Sequence, residues 1–160
     1  MNREIKLAFE ETEDESLLIE ADRELVIKAR LATDTAYAPY SGFRVAAAAR
    51  LQDGSVHTAT NQENASYPVG ICAERSLLAL VGAMFPGARI EAMAIAYHNP
   101  GGSSDKPVAP CGMCRQALLE YENRTSSPIR LLLTGYTGKV LAIEKASSLL
   151  PLSFSGSDLL

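Results

Sequence analysis

Apolar positions along the chain change their spacing several times, and each change marks an element. From about Asp14, residues Leu17, Leu18, Ala21, Leu25, Ala29 and Ala32 fall at three- and four-residue steps, which predicts an amphipathic helix. Its acids (Asp14, Glu15, Glu20, Asp22, Glu24) come early and its bases Lys28 and Arg30 late, the order a helix dipole favours. Charge of this kind is ordinarily a solvated face. Pro39 and Gly42 punctuate the chain after it. The alanine-rich run that follows would suggest a helix on propensity alone, but Asp53-Gly54 is a strong hairpin turn. Strands over 43–51 and 55–61 are therefore predicted, the first packed closely under a helix. A second helix spans Cys72 to about Met84, with Leu77, Leu78, Val81 and Met84 as its apolar face, and Pro86-Gly87 ends it. A largely apolar strand runs from Arg89 to Tyr97, and a Gly/Ser/Asp loop covers Asn99 to Lys106. A third helix begins at Cys111 and runs to about Tyr121. Strands at 129–133 and 140–143 and a short helix at 145–149 complete the series.

Strand–helix–strand units with apolar strands imply a mixed sheet covered by helices on its faces. The expected fold class is α/β: a three-layer α/β/α sandwich on a mixed five-stranded sheet. No repeat, low-complexity stretch or linker divides the chain, so 1–160 reads as a single domain. Residues 1–20 read as a variable leader, in which 3–10 could form a short strand.

Bulk properties narrow the function. The 160 residues are 47% hydrophobic and 21% charged, the balance of a globular protein. No apolar run approaches the length that spans a bilayer, and Met1 to Glu10 lacks the apolar core of a signal peptide, so the expected location is cytoplasmic with no membrane partner. The formal net charge of -4, with acids crowded into the first 25 residues, argues against a nucleic-acid partner, which demands a basic stripe.

All three cysteines lie in two short segments, Cys72-Ala73-Glu74-Arg75 and Pro110-Cys111-Gly112-Met113-Cys114. An odd count in a reducing compartment fits ligation better than pairing. Cys111 and Cys114 share a first helical turn, and Cys72 comes from a distant element. Three thiolates without a fourth protein ligand describe an open zinc site with one position left for water. Neither His57 nor His98 is spaced to close it. Both segments open predicted helices, whose N-termini favour thiolate. Glu74, two residues past Cys72, is placed to move protons to and from that water. A glutamate on a helix is commonly inert; between two ligand segments, acid/base work is the stronger reading. Three thiolates make the centre negative, and Arg75 is placed to hydrogen-bond a ligand sulfur and return some positive charge. A surface ion pair is the plain alternative for it.

The order of a ligand, one residue, Glu, then Pro-Cys-x-x-Cys resembles the signature of zinc nucleobase deaminases. Five segments in register extend the likeness: 37–43 (Tyr-Ala-Pro-Tyr-Ser-Gly-Phe), 61–68 (Asn-Gln-Glu-Asn-Ala-Ser-Tyr-Pro), 72–75, 110–116 (Pro-Cys-Gly-Met-Cys-Arg-Gln) and 150–154 (Leu-Pro-Leu-Ser-Phe). Together they resemble the short-chain, homotetrameric cytidine deaminases from about Ala32 onward. That resemblance implies one Zn2+ per subunit on Cys72, Cys111 and Cys114, with Glu74 relaying protons as cytidine or deoxycytidine loses ammonia. It implies a nucleoside substrate whose ribose is gripped by Asn61 and Glu63. It also implies an aromatic contact with the base from Phe43, and reading of the pyrimidine edge by the Ala73 backbone and the Pro110 carbonyl. Phe154 matches an aromatic that closes a neighbouring subunit's pocket, so the sites would be shared across interfaces of a homotetramer. Gln116, like Arg75, would support the site from behind the ligands. Ala46 and Ala59 stand where glycine is common, and Gln62 replaces a small apolar residue. None of these departures removes a chemical group.

Two rival readings remain open at this stage. One is a deaminase for another cytosine- or purine-containing molecule; the carboxylate of Glu63 beside the sugar would disfavour a phosphorylated one. The other is a non-catalytic zinc module, against which the missing fourth ligand counts.

Overall fold

The structure, a computed structural model, describes residues 1–159. Its frame is a six-stranded sheet in the order β1-β6-β5-β4-β2-β3. The strands are β1 (Glu10–Thr12), β2 (Arg44–Leu51), β3 (Val56–Thr60), β4 (Ile90–His98), β5 (Arg130–Thr134) and β6 (Val140–Ile143), and the helices α1 (Glu20–Ala32), α2 (Ala73–Met84) and α3 (Gly112–Thr125). The three-layer α/β/α expectation holds; the strand count of five does not. The sixth strand, β1, comes from the stretch read as a leader and pairs antiparallel with β6, Glu10 opposite Ala142 and Thr12 opposite Val140. Lys139 reinforces that edge through Glu11 at 2.7 Å and Glu13 at 3.4 Å. Three residues with no apolar alternation carry no strand signal of their own; the pairing makes the strand.

Side-chain alternation sorts the two cores. On β4, Ala92, Ala94 and Ala96 face one side with Ala48 and Leu132, and there receive Leu25, Val26 and Ala29 of α1. Met93 and Ile95 face the other side, where Leu77 and Val81 of α2, Leu118 and Tyr121 of α3, and Leu131 and Leu133 of β5 close the larger core. The alanines of β2 and β4 let α1 approach the sheet closely, as their run in the sequence implied.

Helix α1 begins at Glu20, not near Asp14. Asp14 instead caps a single 3-10 turn over Glu15–Leu17, accepting the Ser16 N–H at 2.7 Å, and Leu18 and Ile19 are extended. The break brings Glu15 to Arg30 at 2.6 Å. In one continuous helix those residues would stand roughly 22 Å apart along the axis. Leu17 is consequently exposed and Val26 takes a place in the core. Helix α3 runs one turn past Tyr121, because the Glu122 carboxylate is buried and accepts the N–H groups of Ile129, Ala146 and Ser147 at 2.8, 2.9 and 3.2 Å. Met84, expected on the apolar face of α2, is exposed. The hairpin forms as expected, with Gly54 in the left-handed region at φ 83° and its N–H bonded to Leu51 at 2.9 Å.

Strand directions place the site. β2 is antiparallel to both β3 and β4, and β4 is parallel to β5, so β3, β4 and β5 run the same way. Helix α2 follows the carboxyl end of β3 and α3 that of β4, so both helices start at one end of the sheet, where α/β proteins bind ligands.

Candidate metal centre and adjoining pocket

Cys72 and Cys111 are the N-cap residues of α2 and α3, both extended, and Cys114 lies on the first turn of α3. Their sulfurs all lie within 4.8 Å of one another. The Cys72–Cys111 separation is 3.8 Å and the Cys111–Cys114 separation 3.4 Å. A tetrahedron with Zn–S bonds of roughly 2.3 Å has an edge of roughly 3.8 Å, so the three sulfurs form a face that fits zinc and leaves the fourth corner free. Cys114 is buried, Cys72 partly so and Cys111 exposed, and Cys72 and Cys111 line the adjoining cavity.

Without a metal the thiols share protons. The hydrogen bond with Cys114 pulls the Cys72 thiol down to about 6, although burial and the Glu74 charge oppose it. The same bond pushes Cys114 up, with burial adding to the effect. Glu74 is 4% exposed, and that burial raises its carboxyl above the usual range. A group with that preference beside the cysteine cluster is fitted to hold and release a proton.

The cluster floors a cavity of about 630 Å³. Phe43, Asn61, Glu63, Ala73 and Glu74 line it with Cys72 and Cys111, so the structure brings together most of the residues singled out from the sequence. Phe43 stacks on Tyr97, centroids 4.8 Å apart at 17°. Asn61 spans the ends of β2 and β3: its Oδ1 accepts the Val45 N–H at 2.8 Å and its Nδ2 donates to the Phe43 carbonyl at 2.9 Å. Glu63 accepts the N–H groups of Tyr40 and Ser41 at 2.9 and 3.3 Å and the Ser41 hydroxyl. Those bonds, the hydroxyl's first, lower its carboxyl below the ordinary range and keep it ionised.

Four singled-out residues lie elsewhere. Pro110 is buried outside the cavity lining, and its carbonyl accepts Arg115 Nε at 2.8 Å. Arg75 faces a separate groove between α2 and α3, and its charge reaches Cys72 through space, helping to lower that thiol. Gln116 donates to the Phe154 carbonyl at 3.0 Å, which fastens the C-terminal segment to α3. The Phe154 side chain is 59% exposed and does not line its own chain's cavity.

Three residues escaped the sequence reading. Arg115 ties Pro110 to the Leu149 carbonyl, which it holds at 3.0 Å, and so fixes the backbone just ahead of Cys111. Ser41 and Tyr97 orient Glu63 and Phe43. Only Ser41 had a local signal, the polar turn before Gly42, which sits at φ 69°.

An α/β sheet with two helix starts converging on three cysteine sulfurs and one buried carboxyl defines the class: a metal-assisted hydrolase with an open coordination position. Residues 19–127 match the family described as the cytidine and deoxycytidylate deaminase zinc-binding region. A cytidine deaminase of Halalkalibacterium halodurans is 39% identical over 139 residues, covering 86% of this chain and 98% of that protein. One of Sporosarcina psychrophila is 38% identical over 136 residues, 84% of this chain and 92% of that one. The crystal structure of cytidine deaminase from Burkholderia pseudomallei superimposes with a TM-score of 0.72 at 36% identity, covering 86% of this chain and all of that one. The chain belongs to the cytidine and deoxycytidylate deaminase family, among its zinc-dependent cytidine deaminases of the short-chain type.

Proposed function

We propose that the chain hydrolyses cytidine and deoxycytidine to uridine and deoxyuridine, releasing ammonia, and that the residues divide the work as follows. The observation that carries this reading is the buried Glu74 carboxyl on the floor of a cavity whose wall also presents the ionised Glu63. Cys72, Cys111 and Cys114 would hold zinc, which when bound supplies a water acidic enough to attack near neutral pH. Glu74 would accept a proton from the attacking water and deliver one to the departing 4-amino group, so its burial serves both halves of the reaction. Phe43, backed by Tyr97, offers a flat apolar surface to the pyrimidine. Ala73, as the first residue of α2, presents its N–H toward the base. Glu63 is an acceptor for ribose hydroxyls, with Asn61 beside it. The Pro110 carbonyl accepts Arg115 Nε with one lone pair and keeps the other for the pyrimidine edge.

A homotetramer with shared sites is supported by the apolar rim of the cavity. Tyr40, Tyr67 and Met113 are 51, 76 and 63% exposed, and Phe154 projects from a backbone anchored by Gln116. Among the described residues no helix is long and apolar enough to cross a membrane. Three free thiols kept for a metal suit the reducing cytoplasm, and the net charge of -4 suits a small substrate rather than a nucleic acid.

The test measures ammonia release and loss of cytosine absorbance with cytidine, deoxycytidine, cytosine and cytidine monophosphate. Both nucleosides should turn over and the other two should not, and Glu74→Gln with normal zinc content should be inactive. Preference for the monophosphate or the free base would overturn the roles given to Glu63 and Asn61.

A further inference from the structure

On the opposite face of the sheet from α2 and α3, the Arg30 side chain is 9% exposed and makes four contacts. Its Nε donates to the Gly135 carbonyl at 3.0 Å, and one terminal nitrogen donates to Thr134 Oγ1 at 2.8 Å and the Gly138 carbonyl at 3.1 Å. The other pairs with Glu15 at 2.6 Å. The guanidinium thus grips the end of β5 and the turn that follows it at three points.

That turn carries a second feature. A Cβ on Gly135 would lie 2.7 Å from the Ser104 carbonyl carbon and 3.2 Å from the Asp105 nitrogen. One on Gly138, at φ 78°, would lie 2.5 Å from the Asp105 oxygen. The Thr137 N–H donates to the Ser104 carbonyl at 3.2 Å. Backbone therefore rests directly on backbone, with no side chain able to yield. The segment seated there leads within a few residues to Val108 and Ala109, which line the cavity, and then to Cys111.

The geometry points to Arg30 as a positioning residue for substrate binding: it fixes Gly135 and Gly138 as a seat for Ser104-Asp105, and the seat sets the Val108–Ala109 wall of the nucleoside pocket. The inference rests on the proposed reaction only for its kinetic readout. The start of α3 at the metal cluster is braced independently, by Arg115 on the Pro110 and Leu149 carbonyls, so loss of the seat moves the wall before it moves Cys111 and Cys114.

Three variants test this. Arg30→Lys keeps a positive charge for Glu15 but not the three-point grip. Gly135→Ala keeps Arg30 and forces the loop away. Gly101→Ala, whose nearest neighbour would be Asn99 Oδ1 at an ordinary 3.7 Å, is the control in the same loop. Expected for the first two are a KM for cytidine raised about tenfold, kcat within about twofold of wild type and one zinc per chain, because a displaced pocket wall weakens ground-state and transition-state binding alike. Amide hydrogen exchange should quicken across residues 103–110 in the same two variants and not in Gly101→Ala. Unchanged KM and unchanged exchange in folded, zinc-loaded Gly135→Ala would overturn the inference, as would equal effects from Gly101→Ala. Were the wild-type protein inert toward cytidine, the proposed reaction would fall, and the exchange pattern alone would still decide whether the seat orders this wall.

Discussion

A carboxyl that water barely reaches resists ionisation, and Glu74 stands in that position next to the Cys114 sulfur. Its folded pKa lies above the unfolded 4.5. For an acid shifted this way, the protonated form is the one folding favours. Its contribution to stability is complete below pH 4.5 and is lost as pH rises through the folded value. Above pH 4.5 the burial of this carboxyl therefore costs the metal-free protein stability. Glu74→Gln should raise the melting temperature of the metal-free protein at neutral pH, with the gain shrinking as pH falls toward 4.5. The same variant should lose activity by about 10²- to 10⁴-fold, the usual worth of positioned acid/base catalysis. Loss of activity without any gain in stability would mean that the burial is relieved by water. The Cys72 thiol moves oppositely: in the metal-free protein its thiolate persists above about pH 6 and is lost as pH falls through that value. Thiolate absorbance should show a step near pH 6 in wild type and none in Cys72→Ala. These groups were legible in the sequence because ligand spacing is local: two residues from Cys72 to Glu74, three from Cys111 to Cys114. The roles of Ser41, Tyr97 and Arg115 were not, because the fold alone brings Ser41 to Glu63, Tyr97 to Phe43 and Arg115 to Leu149.

Among the elements, the hairpin could be read because Asp53-Gly54 states its turn in two residues. The edge strand β1 and the start of α1 could not. Both are decided by contacts with distant sequence, Glu10–Thr12 with β6 and Glu15 with Arg30, and neither leaves a periodic trace. The alanines under α1 were readable as a close packing surface, and they make a prediction of their own. Ala94 is fully buried between Ala48, Ala92 and Ala96 on the face that meets α1. Ala94→Leu should cost about 1–3 kcal/mol by overpacking. A urea titration checks it, and because α1 packs opposite the metal cluster, zinc content should remain at one per chain. Full stability in that variant would mean that α1 can lift from the sheet without penalty.

At the scale of the whole molecule, the metal would be a clamp as well as a reagent, since its ligands cap two helices that enter the sheet from different crossovers. Removal of zinc by a chelator should therefore lower the melting temperature as well as abolish turnover, and added zinc should restore both. The larger question is whether one chain makes a complete site. Phe154 is held by its backbone to Gln116 yet turns its ring outward, away from its own cavity. If that ring closes a neighbour's pocket, two damaged chains can repair each other. Phe154→Ala retains Glu74 but offers no ring, and Glu74→Gln retains the ring but moves no proton. In mixed oligomers some sites combine the intact Glu74 of one chain with the intact Phe154 of another. After subunit exchange, activity should rise well above the average of the two separate variants, with cytidine KM near the wild-type value in the recovered fraction. Activity equal to that average, in a mixture shown by mass to have exchanged, would confine Phe154 to its own chain and remove the reason for a shared site.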